Sequence, residues 1–182
     1  HQQLPRYLTQ DEISRFFTAV RGLRDQALVT LMYHHGLRVG EVLLLGRGDD
    51  DVERVRILVR RLKGGAWSEQ VLFSGTARLL RRYLARTTGE IASPLFPGRS
   101  GPLRRRQIQL RFVRCREWAG LAQHFTTHSL RHSIATHLLD AGASLELVQD
   151  HLGHRNIRST AIYARITDRH REAFMRSIER SP

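Results

Sequence analysis

His128 and Arg131 stand three residues apart in a stretch whose apolar residues recur with helical spacing. That spacing puts an imidazole and a guanidinium on one face of a helix, near its positive N-terminal end. An arginine fork in that place can hold two oxygens of a phosphate, and the imidazole beside it can pass a proton near neutral pH. Arg38, just past a predicted helix end, offers a second fork. Lys63 is singled out by composition, because it is the sole lysine in a chain that otherwise uses arginine at every basic position. A guanidinium is a poor proton donor, whereas an ammonium on a flexible stem can protonate a leaving oxygen and recover the proton. Tyr163 lies nine residues beyond His154. Its phenol becomes a competent nucleophile at phosphorus where positive groups stabilise the developing charge. Taken singly, each residue has a plainer reading: a solvated arginine, a lysine left in an exposed turn, a packed tyrosine ring.

Six of the ten histidines fall between His124 and His154, and His124, His128 and His132 repeat every four residues. A zinc site is nevertheless not expected. There is no cysteine pair and no His-Glu-x-x-His, and the loop before Thr126 breaks the helix that would align His124 with the others. His132, His137 and His151 read as packing or surface polarity.

The elements that must position these groups follow from periodicity and turn chemistry. Thr9 and Glu12 have capping-box spacing ahead of Ile13, Phe16, Phe17 and Val20, so a first helix starts there. A second helix fits residues 25–34, with Gly36 as its left-handed stop, and an apolar turn over 39–45 leaves Arg38 in the joint between helices. Val55, Ile57 and Val59, then Val71 and Phe73, alternate about Gly64-Gly65 as in a β-hairpin with Lys63 at its turn. Helical spacing returns over 76–84 and 107–118. In the latter, Ile108, Phe112, Cys115 and Ala119 form an apolar line, and Gln107, Arg111 and Arg114 a polar one. Thr126 or Thr127 caps a helix that ends at Gly142, Ser144 starts another, and a helix over 160–165 holds Tyr163, followed by a sparse charged tail.

The formal charge of +13 is spread from Arg6 to Arg180, which suits a folded basic surface facing a polyanion. Double-stranded DNA is the expected partner, with Arg104, Arg105, Arg106, Arg111, Arg114 and Arg155 as expected contacts. The lone Cys115 excludes an intramolecular disulfide, and neither a membrane-length apolar run nor a signal-peptide core is present. A cytoplasmic, nucleoid-associated protein is expected. With 182 residues, one well-cored domain over 1–182 is the prior. The chain begins at His1 rather than Met, which leaves open a preceding domain in nature.

In order along the chain stand His35-Gly36-Leu37-Arg38-Val39-Gly40-Glu41, Leu62-Lys63-Gly64-Gly65, His128-Ser129-Leu130-Arg131-His132, Leu152-Gly153-His154 and Tyr163. Together these words resemble the tyrosine recombinase, or phage integrase, family. The resemblance runs from about Leu8 onward and covers the family's catalytic domain without its usual N-terminal core-binding domain. Residues 149–158 further resemble the short invertases that flip fimbrial promoter segments. One departure is the run Ala66-Trp67-Ser68-Glu69-Gln70, which lacks the basic residues many relatives carry there.

The resemblance implies an α+β, mainly helical fold with a small antiparallel sheet. It implies a site-specific recombinase that breaks and rejoins DNA through a 3′-phosphotyrosyl link, without metal or cofactor. Arg38 and Arg131 would clamp the scissile phosphate and His154 would add a hydrogen bond. His128 would handle a proton, Lys63 would protonate the leaving 5′ oxygen, and Tyr163 would attack. A homotetramer on two paired DNA sites, monomeric when free, is implied as well, with Phe174, Met175 and Ile178 docking on a neighbour. Two alternatives remain at this point. The glycine-joined helix pair over 129–150 could belong to a helix-turn-helix regulator, and a type IB topoisomerase or telomere resolvase would share the chemistry.

Overall fold

The structure, a computed structural model, describes residues 4–62, 67–98 and 101–179. Lys63 and the Gly64-Gly65 turn lie outside the described residues. Among the described residues, eight helices and a three-stranded antiparallel sheet build one apolar core, an α+β and mainly helical fold as the resemblance implied.

α1 (Gln10–Ala19) opens on the expected capping box: the Thr9 side chain accepts from the Glu12 backbone and Glu12 reaches back to the Thr9 N–H. α2 (Leu23–His34) is buried along every residue from Ala27 to Tyr33. It is the central helix, sheathed by α4 (Ser74–Leu84) on one side and α6 (Thr127–Asp140) on another. A helix buried all round shows little amphipathic period, because no face of it is reserved for water. Gly36 ends it at φ +57°, and a Cβ there would lie 2.5 Å from the Leu152 side chain. Glycine is required twice over, by conformation and by the approach of α7 (Leu145–Leu152). The chain then turns through Arg38 into the single-turn helix α3 (Val39–Val42).

The sheet comprises β1 (Asp50–Asp51), β2 (Arg56–Arg60) and β3 (Trp67–Val71) in that order, with Ile57 opposite Gln70 and Val59 opposite Ser68. Ile57 and Val59 point inward as expected, but Val71 is 61 % exposed and the buried residues of the second strand are Gln70 and Leu72. The inward polar residue has a reason. Gln70 Oε1 pairs with His35 Nδ1 at 2.9 Å, and its Nε2 donates to the His151 carbonyl at 2.7 Å. A buried amide with both ends engaged satisfies groups that an apolar side chain would leave orphaned. Val55 belongs to the turn before β2, at φ +58°, and Phe73 caps α4 rather than extending β3.

After the short pair β4 (Pro97–Gly98) and β5 (Gly101–Pro102), α5 (Arg105–Trp118) packs on α1, with Phe112 and Phe16 ring centroids 4.9 Å apart. Thr126 caps α6, Ser144 caps α7, and Gly142 at φ +93° separates them. The last helix differs from expectation. α8 runs unbroken over Arg158–Glu179, so the charged tail foreseen after Arg165 is helix. Tyr7 holds it to the body by a 2.6 Å bond from its hydroxyl to His170 Nε2. No helix among the described residues is long and apolar enough to cross a membrane.

His35 is fully buried, and burial pushes its imidazole down to about 3, with His151, His34 and Arg61 adding repulsion against the Gln70 bond. An unfolded histidine takes its proton near pH 6.5. Between that value and about 3, the unfolded chain therefore binds more protons than the folded one. The stability His35 contributes is present above pH 6.5 and is lost as pH falls. Urea unfolding at pH 7 and pH 5 should differ by about 2 kcal/mol through His35 alone. Equal stability at the two values would mean that His35 finds a proton without unfolding.

Candidate active site

Glu41 sits at the third position of α3 with no solvent exposure. Its Oε2 accepts the Arg38 backbone N–H at 2.8 Å and its Oε1 accepts Arg38 Nη1 at 2.9 Å. Arg61 Nη1 reaches Oε2 at 3.3 Å and Arg131 Nη1 lies 3.9 Å from the same oxygen. Burial alone would raise this carboxyl, but the Arg38 N–H and the charges of Arg61, Arg131 and Arg38 hold it below the ordinary carboxylate range. Three guanidinium charges thus surround one carboxylate, leaving two positive charges without an internal partner. In-line displacement at a phosphodiester places two negative charges on the non-bridging oxygens at its transition state, which is what such a surplus can stabilise.

Each arginine is aimed by a different element. Arg131, from the first turns of α6, is 1 % exposed. Its Nη1 donates to the Gly36 carbonyl and its Nη2 to the Leu152 carbonyl at 2.7 Å. It therefore closes the α2–α3 joint onto the end of α7. Burial, then repulsion from Arg38, makes its charged form costlier, and Glu41 opposes this. Arg61, just past β2, donates its Nη2 to the His151 carbonyl at 2.7 Å. Its side chain lies 2.6 Å from where a Cβ on Gly153 would stand, and Gly153 has φ +64°.

Gly153 turns the chain out of α7 and delivers His154, whose Nδ1 bonds the buried Thr160 hydroxyl at 2.9 Å. With Nδ1 engaged, Nε2 is the ring nitrogen His154 has for a ligand. Tyr163 follows in the second turn of α8, and its ring is 3 % exposed. Its hydroxyl is bonded to His132 Nδ1 at 2.8 Å. Burial pushes its pKa up, and Arg131 and Arg38 counter part of that rise. The His128 ring stands edge-on to the His132 ring, with centroids 4.6 Å apart.

Arg38, His128, His132, His154 and Tyr163 share the wall of one open cleft of about 350 Å³, joined by Pro5 from the N-terminal segment and by Arg155. Of the six residues singled out for chemistry, four line this cleft, Arg131 lies behind it on Glu41, and Lys63 is outside the described residues. Tyr163 lines the cleft with its ring buried and its hydroxyl held by His132.

Among the expected DNA contacts, Arg104, Arg105, Arg106 and Arg114 are exposed on α5 or at its start, and Arg155 is exposed beside the cleft. Arg111 is different. It is half-buried, and its Nε donates to Asp25 at 3.0 Å, which ties α5 to α2. Among the described residues no group of three or more His, Cys, Asp or Glu is placed to hold a metal ion, and His124 lies tilted against Phe125. Sequence reasoning passed over Glu41, Arg61, Thr160 and the contact role of His132. For Glu41 a local signal existed, since an acid three residues after Arg38 at a helix start is a cap-like pair.

Residues 6–170 match the model of the phage integrase family, and the chain belongs to it. The fold is that of a tyrosine recombinase catalytic domain. The chain is 37 % identical over 172 residues to tyrosine recombinase XerC of Xylella fastidiosa (strain 9a5c), covering 91 % of this chain and 58 % of that protein. To tyrosine recombinase XerA of Pyrococcus horikoshii it is 34 % identical over 182 residues, covering 94 % and 61 %. The chain thus spans about three fifths of these relatives' length. Among solved structures, XerA recombinase superimposes with a TM-score of 0.81 at 26 % identity, covering 99 % of this chain and 67 % of that one. A post-cleavage complex of XerH site-specific recombinase with a palindromic difH substrate gives 0.80 at 25 % identity, covering 95 % and 53 %.

Truncating Glu41 leaves buried guanidinium charges facing one another. Glu41→Ala should cost about 3–5 kcal/mol in urea unfolding, with Glu41→Gln intermediate. A loss under about 1 kcal/mol would mean that the three arginines do not depend on this carboxylate.

Proposed function

We propose that this chain performs the phosphoryl-transfer steps of a site-specific DNA recombinase. Tyr163 attacks the scissile phosphate, a 3′-phosphotyrosyl link forms, and the 5′ hydroxyl leaves. A partner strand's 5′ hydroxyl then reverses the step at a Holliday junction, giving integration, excision or inversion according to how the sites are arranged. Arg38 and His154 hold the non-bridging oxygens, with Arg131 adding its charge from behind. His128 exchanges a proton at the cleft mouth, and Lys63 protonates the leaving oxygen. The link conserves the energy of the cut bond, so rejoining needs no nucleotide.

The observation that carries this reading is the convergence of Tyr163, Arg38, His128 and His154 on one cleft, from four separate stretches of chain. A helix-turn-helix reading fares worse. It accounts for the α6–α7 pair but leaves unexplained why Tyr163, Arg38, His128 and His154 gather in one cleft. The exposed arginines of α5 with Arg155 form the DNA-facing surface in this account, whereas Arg111 serves the α2–α5 contact. A DNA substrate makes the nucleoid the place of work.

Recombination of two paired sites calls for four copies on DNA, and we assign the outer end of α8 to contact between copies. Met175 is 57 % exposed there, while the side chains of Phe174 and Ile178 lie outside the described residues. The 1–182 chain acts as one catalytic domain in this scheme.

The test uses a duplex recovered from a randomised pool by binding to the chain, nicked so that the cleaved 5′-hydroxyl fragment diffuses away. Wild-type chain should leave a labelled protein–DNA adduct that survives denaturing electrophoresis. Tyr163→Phe should bind the duplex equally and leave none. An adduct from Tyr163→Phe would assign the nucleophile elsewhere.

A further inference from the structure

The Tyr163 hydroxyl must give up its proton as it attacks, and a phenol whose pKa burial has pushed up does so only if a base stands within hydrogen-bond reach. Lys63, as proposed, serves the other end of the reaction, and His154 is oriented through Nδ1 by Thr160. The hydrogen-bond partner of the phenol is His132, one residue after Arg131 and one helical turn from His128.

We propose that His132 is a catalytic residue, the general base that takes the Tyr163 proton at Nδ1. The inference rests on Tyr163 being the nucleophile. In the cleavage step the Oη–H bond breaks and the proton passes to Nδ1. Oη bonds phosphorus, and the bond from phosphorus to the 5′ oxygen breaks with its electron pair on that oxygen, which takes a proton from Lys63. In rejoining, the imidazolium returns its proton to Oη as the phenol leaves.

The geometry is already that of a proton transfer, at 2.8 Å between the two heavy atoms. The direction requires a neutral ring in the tautomer whose proton sits on Nε2, so that Nδ1 accepts from the phenol. Burial, then the neighbouring His128, Arg131 and His154, push this imidazole down to about 3. The same cationic field that keeps it neutral makes it a weak base until a phosphate arrives. A phosphodiester seated among Arg38, Arg131 and His154 brings negative charge into that field, which raises the proton affinity of His132 where it is needed. Docking of the substrate would thus arm the base, and the free enzyme would keep its nucleophile protonated and covered.

The test measures single-turnover adduct formation on the nicked duplex across pH 6 to 9. His132→Asn keeps an amide oxygen near the Nδ1 position but cannot carry the proton, and His132→Gln is the second variant should Asn unfold α6. Both should bind the duplex as wild type does and form adduct about 10²–10³-fold more slowly. Their rates should climb steadily with pH toward ionisation of the phenol itself, where the wild-type rate levels off. Replacing Tyr163 by a fluorotyrosine, whose phenol is more acidic, should recover much of the lost rate in the variants and change the wild type little. The proposal is overturned if the variants match the wild-type rate. It is equally overturned if they are slowed with an unchanged pH profile and gain nothing from fluorotyrosine, the signature of a positioning role alone. No adduct from the wild-type chain would instead defeat the assignment of Tyr163, and this proposal with it.

Discussion

A carboxylate with no access to water, set among three arginines, is the constraint on which the rest of this molecule depends. Glu41 cannot be desolvated alone, and Arg131 and Arg61, 1 % and 4 % exposed, cannot be either. Together they are tolerable, because the arginines share the Glu41 carboxylate and reach backbone carbonyls at Gly36, Leu152 and His151 through their Nη groups, with Arg61 Nε left without a partner. Those carbonyls belong to the ends of α2 and α7, so satisfying the arginines also fixes where the two helix ends meet. Of the three, Arg38 lines the cleft, where Glu41 holds it in place in the free protein.

From that centre the positions of the reacting groups follow. Arg131 holds the Leu152 carbonyl, Gly153 turns the chain, His154 comes next and is oriented by Thr160, and the helix that begins at Arg158 carries Tyr163 back over His132. The sheet joins through Gln70 and Arg61, which both end on the His151 carbonyl. The sheet and the turn that presents His154 are therefore tied to one carbonyl, and a shift of α7 would be felt at both.

Much of this was readable from local rules. The caps at Thr9, Thr126 and Ser144, the stops at Gly36 and Gly142, and the joint holding Arg38 depend on residues within a few positions of one another, where side-chain and backbone chemistry decide. What escaped was set by partners far along the chain. Gln70 turns inward against β-propensity because His35 and His151 await it, and no alternation of Val71 and Phe73 could reveal that. Past Arg165, α8 meets Tyr7, more than 150 residues away in sequence, and Asp140, both through His170. His132 looked like packing because its bond to Tyr163 joins residues far apart in sequence. The site motifs stood out together and in order, but the buried network behind them, Glu41 with Arg61, carried no periodic signal.

The central claim is that arginine charge gathered on Glu41 exists to balance the charge of a scissile phosphate. It is tested most directly by removing charge from both sides. Arg38→Ala should fail to cleave an ordinary nicked duplex, yet cleave one whose scissile phosphate is replaced by an uncharged methylphosphonate, because the charge Arg38 would have met is gone. If Arg38→Ala is equally inactive on both substrates while binding both, Arg38 does not act through phosphate charge and the account is wrong at its centre.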